Sequence, residues 1–414
     1  MRSGNFIIID KYVRRMDGSD LRDEIFRSIE SDIFENRALV DISHVPDLER
    51  IVGRDHELRE IGKAIAPAAI GAPPESVTIY GKTGTGKSLV ARSTTRTIQQ
   101  EADGQGVNFA SVYIDCSCES TVTKASSEMA RSLEKTLDAD RDIPLKGYSG
   151  SHYQHMTWEM LNDHNVETFI VILDEVDLLD SDQLLHSLSR AKESGKTDTL
   201  VGVICISNKI EYRQELNERV NSSLQDREHV FDPYDATQIR EILESRRDAF
   251  KEDVLEEGVI PKIAAHAAQE HGDARKAVDM LAWAGRLAER EDSPTVTEDF
   301  VDEARHQAEV NRFQKLISGN TPHAKYVLRT LALLTANTDT KPEFKTTELY
   351  NFYQTLCTRI GVEPLSKNRV TVLLKEQSFL GLTESEHTGD GNGGFVVHRL
   401  TQNPEIVLRA TEDL

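Results

Sequence analysis

The segment Gly81-Lys82-Thr83-Gly84-Thr85-Gly86-Lys87-Ser88 constrains this chain more than any other. It reads G-x-x-x-x-G-K-S, and its setting suits that pattern. Val77-Thr78-Ile79-Tyr80 before it is a short β-branched and aromatic run that predicts a buried strand. Leu89-Val90-Ala91-Arg92 after it predicts the first turns of a helix. A glycine-rich turn between strand and helix lets backbone N–H groups close on phosphate oxygens, and the helix N-terminus adds a dipole that favours anions. Gly81 to Leu89 is therefore a candidate cradle for ATP or ADP. Lys87 is placed to reach the β- and γ-phosphates and Ser88 to hold Mg²⁺.

A second element complements the loop. Phe169-Ile170-Val171-Ile172-Leu173 is an uninterrupted apolar strand, as in the centre of a parallel sheet covered on both faces. It ends at Asp174-Glu175-Val176-Asp177. Carboxylates at the C-terminal edge of such a strand fall beside the phosphate loop, where ligands sit in open α/β sheets. Asp174 is the candidate Mg²⁺ ligand, through water, and Glu175 the candidate base for an attacking water. The strand Leu200–Ser207 ends at Asn208, a polar side chain expected to face the γ-phosphate and orient that water.

The 414 residues predict two to four domains. No apolar run approaches the ~18 residues of a membrane span. The N-terminus lacks a secretory pattern, and none of the four cysteines forms a C-x-x-C pair, so a reducing cytoplasmic setting is expected. His152 and His155 read as a solvated pair rather than a metal set. The net charge of −21 is unusual for a DNA binder, and it is uneven. Asn320 to Leu414 holds 10 Lys/Arg against 11 Asp/Glu, so the excess lies almost wholly upstream. Scattered acids of this kind fit a protein of a very salty cytoplasm, kept soluble by its charge; a surface that meets a basic partner is the alternative.

Along the chain, residues 1–50 form an arm with a short helix around Leu21–Ile29, and Leu48–Ile70 reads as one amphipathic helix. Residues 51–234 alternate strands with helices, which predicts a parallel α/β sheet with helices on both faces. Within it, 138–168 looks like a polar insertion. Residues 235–318 carry only helical periodicity, a lid-like subdomain. After the break at Ser318-Gly319-Asn320-Thr321-Pro322, residues 319–414 read as three helices and a hairpin with a Gly-rich tip around Asp390, a winged helix.

In this order the segments resemble the archaeal origin-recognition initiators, relatives of the eukaryotic ORC and CDC-type helicase loaders within the AAA+ P-loop ATPases. The phosphate loop carries the resemblance, together with Ile33-Phe34-Glu35-Asn36-Arg37-Ala38-Leu39, Val52-Gly53-Arg54-Asp55-His56-Glu57-Leu58, Val171 to Asp177, Leu216 to Leu224, Phe231-Asp232-Pro233-Tyr234 and Gly272-Asp273-Ala274-Arg275-Lys276-Ala277. The resemblance implies an ATP-dependent replication initiator, cytoplasmic and nucleoid-associated, that binds double-stranded origin DNA and helps recruit an MCM-type helicase, with slow ATP hydrolysis as a switch. Other initiator copies on the DNA are further implied partners. It implies that Arg275 reports the γ-phosphate to the lid and that Arg219 is an arginine finger, although Asn217-Glu218 departs from the Asp-Pro usual before it. Two DNA contacts are implied: Gly147 to Ser151, and a recognition helix presenting Lys367, Asn368, Arg369, Thr371 and Lys375 over a buried Val370, Leu373 and Leu374. The wing departs from the family pattern, with Asp390 where arginine is usual and Arg399 as its nearest base. The alternative is a DNA-binding regulator or non-firing paralogue whose nucleotide site is structural.

Overall fold

The computed structural model describes residues 32–224, 227–338, 343–388 and 395–412, without the side chains of Arg219, Ser222 and Ser223. The expected helix at Leu21–Ile29 and the wing tip with Asp390 lie outside the described residues. The chain divides into two compact units, one up to Glu298 and one over Asp299–Leu414.

The first unit begins with helix α1 (Asp55–Ile65), strand β1 (Val77–Gly81), α2 (Lys87–Gln105), β2 (Phe109–Asp115), α3 (Val122–Thr136), α4 (Gly150–Asp163), β3 (Thr168–Asp174), α5 (Gln183–Ser189), β4 (Leu200–Ser207), α6 (Glu218–Leu224) and β5 (Arg227–Phe231). The strands form one parallel sheet in the order β2-β3-β4-β1-β5. Alternation assigns each strand residue to a face. Val112, Val171, Leu173, Val203 and Cys205 enter one core with Met129, Leu133, Tyr153 and Leu161. Ile170, Ile172, Ile204, Ile206, Val77 and Ile79 enter a second with Ile61, Ile65 and Val90. Every residue of β3 is buried, as its unbroken apolar run requires. From β1 the chain crosses to the far edge strand β2, so the strand order reverses beside β1, and the crevice beyond the strands' C-terminal ends is where ligands bind in such sheets.

The expected helix Leu48–Ile70 is instead a single 3₁₀ turn at Leu48–Arg50, then α1, then a 3₁₀ turn at Ala66–Ile70. Gly53 at φ 71 breaks the helical path before α1. Pro67 then lacks the N–H that would bond back into the preceding turn.

Helices α7 (Ala236–Glu244), α8 (Val259–Gln269) and α9 (Ala274–Arg290) complete the first unit. Asp235 starts α7 with a capping box closed by Gln238, and Asp273 caps α9 through the N–H of Lys276.

The second unit runs from α10 (Glu298–Leu316) through α11 (Pro322–Ala336), β6 (Phe344–Lys345), α12 (Thr346–Ile360), α13 (Lys367–Phe379), β7 (Thr383–Thr388), β8 (Phe395–Leu400) and α14 (Pro404–Ala410). An antiparallel sheet of order β6-β8-β7 packs with these helices. Val370, Leu373 and Leu374 are buried with Val327, Leu331 and Tyr353, so α13 turns its other face outward. The sequence reading did not include β6 or α14. The first has two residues, and the second has only seven.

Candidate functional site

The phosphate loop leaves β1 at Gly81 and enters α2 at Lys87. Gly84 and Gly86 have φ of 79° and 85°, backbone that a side chain would strain. Arg54, itself 4% exposed, braces the loop from outside. Its Nε donates to the Thr85 carbonyl at 3.1 Å and Nη2 to the Asp232 carbonyl at 2.5 Å, and its guanidinium lies 4.0 Å from the Tyr234 ring centroid.

Lys87 is 6% exposed. Its Nζ donates to the carbonyls of Gly81 at 2.7 Å and Lys82 at 2.8 Å, and to Asn208 Oδ1 at 2.9 Å. Asn208 Nδ2 in turn donates to Glu175 Oε1 at 3.0 Å. One line of hydrogen bonds thus joins the ends of β1, β4 and β3. Burial pushes the Lys87 ammonium down to about 8 despite the attraction of Asp174 and Glu175. A buried cation held by neutral acceptors, within a concave backbone of positive-φ glycines, fits an anionic phosphate.

Asp174 is 7% exposed at the end of β3. The Tyr113 hydroxyl donates to its Oδ2 at 2.7 Å, and the Glu175 N–H donates to its Oδ1 at 3.0 Å. Burial, then the bond to Asp174, hold the Tyr113 phenol well above its ordinary range, so it remains a donor. Glu175 adopts a left-handed φ of 53°, which turns its carboxylate towards Asn208. Asp177 next along accepts from Ser207 Oγ at 2.9 Å and steadies the end of β4.

These groups open on one cavity of about 290 Å³, lined by residues 83–89, Asp174, Glu175, Asn208 and, from the start of α9, Arg275. Gly81 and Lys82 supply carbonyls to Lys87 rather than wall. The lid meets the loop directly, since the Ala274 N–H donates to the Gly84 carbonyl at 3.2 Å. The Arg275 guanidinium is near enough to depress Lys87 further.

The cavity has a roof that the sequence reading did not include. Residues 41–45 line it, and the strand of chain carrying them is tied at both ends. At one end the Phe34 ring packs tilted on Phe250 with centroids 4.8 Å apart, and the Glu35 and Asn36 N–H groups donate to the Ala249 carbonyl. At the other, Ser93 donates to the Pro46 carbonyl at 2.8 Å, and Arg96 donates to Val45, Pro46 and Asp47. Arg50 bridges back to Asp248. Nothing in the composition of 41–45 signals this role. Only the neighbouring Ile33–Leu39 stood out, by resemblance.

The expected DNA-facing residues occupy α13 and β8 of the second unit. Lys367, Asn368, Arg369 and Lys375 are exposed, and Thr371 is half-buried with its hydroxyl on the Lys367 carbonyl. Lys367 Nζ donates to Thr347 Oγ1 at 2.8 Å. Arg399 is paired with Glu384 across the hairpin, and Glu343 lies 3.8 Å away. The side chain of Arg219 lies outside the described residues. Among the described residues no group of three or more His, Cys, Asp or Glu forms a metal set. No described helix is long and apolar enough to cross a membrane.

Comparison with known proteins places this arrangement. Residues 50–202 match the AAA ATPase domain, 240–306 the Cdc6 AAA+ ATPase-type lid domain, and 315–410 the CDC6 C-terminal winged helix domain. The parallel sheet, lid and winged helix are thus those of an AAA+ ATPase of Cdc6 type, a class whose membership supports ATPase activity and nucleotide binding. ORC1-type DNA replication protein 9 of Haloarcula marismortui is 43% identical over 397 residues, 94% of this chain and 95% of that protein. ORC1-type DNA replication protein 4 of Halobacterium salinarum is 44% identical over 391 residues, 94% of each. The chain belongs to the ORC1-type DNA replication proteins, the family whose members the sequence resembled, with homologues in halophilic archaea. The solved structure of the Aeropyrum pernix ORC1 protein in complex with DNA aligns at TM-score 0.68 and 32% identity, over 93% of this chain and 98% of that one. The Aeropyrum pernix ORC2 protein aligns at TM-score 0.59 and 19% identity, over 92% of this chain and 99% of that one, a likeness of fold.

Proposed function

We propose that this chain is a replication initiator that binds double-stranded origin DNA in a nucleotide-dependent form, helps recruit an MCM-type helicase, and resets by slow ATP hydrolysis. The observation that supports this reading is the line Lys87–Asn208–Glu175, a buried cation, an amide and a carboxylate hydrogen-bonded in turn on one cavity that Arg275 of the lid also lines. The complex of the Aeropyrum pernix ORC1 protein with DNA supports the DNA half.

In this reading residues 83–89 bind the β- and γ-phosphates through their backbone. Lys87 leaves the Gly81 and Lys82 carbonyls for phosphate oxygens. Glu175 takes a proton from water as the water oxygen attacks the γ-phosphorus, and the bond from that phosphorus to ADP breaks. Asn208 keeps the Glu175 carboxylate aimed at that water. Ser88 and Asp174 would hold Mg²⁺, which when bound neutralises charge on the phosphate oxygens. Arg275 would contact the γ-phosphate, so lid position follows nucleotide state, and Arg219 would complete a neighbouring copy's site. The slow turnover follows from a finger supplied only in trans. On DNA, Lys367, Asn368, Arg369, Thr371 and Lys375 would face the groove and phosphates.

The test is Glu175→Gln. It keeps the bond from Asn208 but removes the base, so the variant should bind ATP and hold it unhydrolysed. Turnover equal to wild type would remove Glu175 from the role. Turnover that stays negligible in wild type even with DNA and a partner copy would favour a structural nucleotide site.

A further inference from the structure

We propose that Tyr113 is a positioning residue that fixes the orientation of Asp174 towards a bound metal, a role that rests on the nucleotide-site reading above. Tyr113 and Asp174 come from adjacent strands, with Tyr113 opposite Ile172 and Asp115 opposite Asp174 in the β2–β3 register. The Tyr113 hydroxyl, two residues back along its strand, reaches forward to Asp174 Oδ2 at 2.7 Å.

The geometry leaves Asp174 little freedom. A carboxylate has about four lone-pair positions. The phenol takes one on Oδ2, and the Glu175 backbone N–H takes one on Oδ1 at 3.0 Å. The N–H is fixed by the main chain, but a single donor leaves the carboxylate free to rock about it. The second donor on the other oxygen sets the plane. Asp174 is 7% exposed, so bulk water does little to replace a lost donor.

The ring that carries the phenol is itself held. The Arg92 guanidinium lies 4.9 Å from its centroid. Arg92 follows Ser88 by one turn of α2, and Ser88, Arg92, Tyr113 and Asp174 all line the same cavity. Helix and sheet therefore converge on one carboxylate, with the metal-side hydroxyl of Ser88 and the clamp on Tyr113 borne on the same helix. Outer partners of this kind orient ligands, and their loss costs ~10–100-fold in metal affinity. A phenol that merely satisfies a buried carboxylate would leave metal affinity alone.

The experiment uses Mn²⁺ as probe with ADP and the full chain. Free Mn²⁺ is followed by electron paramagnetic resonance in wild type, Tyr113→Phe and Asp174→Ala, and ADP affinity is measured separately in chelator. Tyr113→Phe keeps the ring under Arg92 and removes only the donor. The expected result is about a tenfold loss of Mn²⁺ affinity with metal-free ADP affinity unchanged. Mn²⁺ affinity within twofold of wild type in Tyr113→Phe, while Asp174→Ala weakens it, overturns the role of Tyr113 alone. An equal loss of Mn²⁺ and metal-free ADP affinity also overturns it, since that is general damage to the cavity. Unchanged Mn²⁺ affinity in Asp174→Ala overturns the metal reading of Asp174 itself, and this proposal with it.

Discussion

Asp273 stands against Gly84: a β-carbon built on Gly84 would lie 1.9 Å from the Asp273 carboxylate. The residue that caps the lid helix α9 therefore touches the turn that would wrap the phosphates, and the neighbouring Ala274 N–H bonds to the same glycine's carbonyl. Lid and loop meet twice at Gly84, so a change in either is felt by the other.

Gly84→Ala should separate them. The substitution meets both the Asp273 carboxylate and a φ of 79°, a strain of about 1–3 kcal/mol. ADP affinity, read with a fluorescent analogue, should fall by roughly tenfold or more. Affinity equal to wild type would show that the lid yields without cost.

Nucleotide affinity should fall as pH rises through about 8, where Lys87 loses its proton in the free protein. Phosphate oxygens favour the ammonium, so binding raises its pKa and takes up a proton in that range. Titration calorimetry in two buffers of different ionisation enthalpy at a pH of about 8.5 should detect that uptake, and Lys87→Met should abolish it. The sign for stability is opposite. The folded pKa lies below the ordinary 10.5, so without nucleotide this group's penalty is full below about 8 and relaxes as pH rises towards 10.5. Melting temperatures of wild type and Lys87→Met should converge over that interval.

Phe34→Ala should loosen the roof over the cavity. Phe34 is 5% exposed and its ring packs against Gly285, where a β-carbon would come within 2.4 Å of its Cζ. Its loss should cost about 3 kcal/mol, or a Tm lower by about 5–10 °C, and should quicken ADP release in stopped flow. Gly285→Val should act similarly from the other side by overpacking. A lower Tm with unchanged release would confine Phe34 to stability.

The sheet and the geometry of the candidate phosphate loop were legible because both rest on short-range pattern. The short unbroken Phe169–Leu173 run suits a strand buried on both faces, and the glycines at 84 and 86 suit backbone that side chains resist. That a phosphate loop and a carboxylate strand meet at the C-terminal edge of one parallel sheet was legible too; the order β2-β3-β4-β1-β5, with β4 between β3 and β1, was not. Tyr113, Arg54 and residues 41–45 were not legible as site residues. Each acts through a partner distant in sequence: Asp174 is 61 residues from Tyr113, and Asp232 is 178 from Arg54. The break at Gly53 was missed because amphipathic spacing continued across it. The sequence shows Arg399 only as the base nearest the wing tip, yet the hairpin register sets it opposite Glu384, a pairing that alternation alone does not reveal.

That pairing gives a prediction for DNA. Arg399 is drawn to Glu384 and Glu343 rather than left for phosphate. Glu384→Gln should loosen it, leaving only Glu343, and remove a negative charge, raising DNA affinity a few-fold at ~0.2 M salt and less at molar salt, where counterion release contributes little. Fluorescence anisotropy on a duplex at both salts checks this. Affinity unchanged at both would place the hairpin away from DNA.

The most direct test of the central claim, nucleotide-dependent origin binding, is genome-wide immunoprecipitation of the tagged chain in its native host, repeated with Lys87→Ala. The account predicts a few sharp intergenic peaks that coincide with replication start sites and vanish in the variant. Peaks at promoters away from replication starts, or origin peaks that persist in Lys87→Ala, would contradict it.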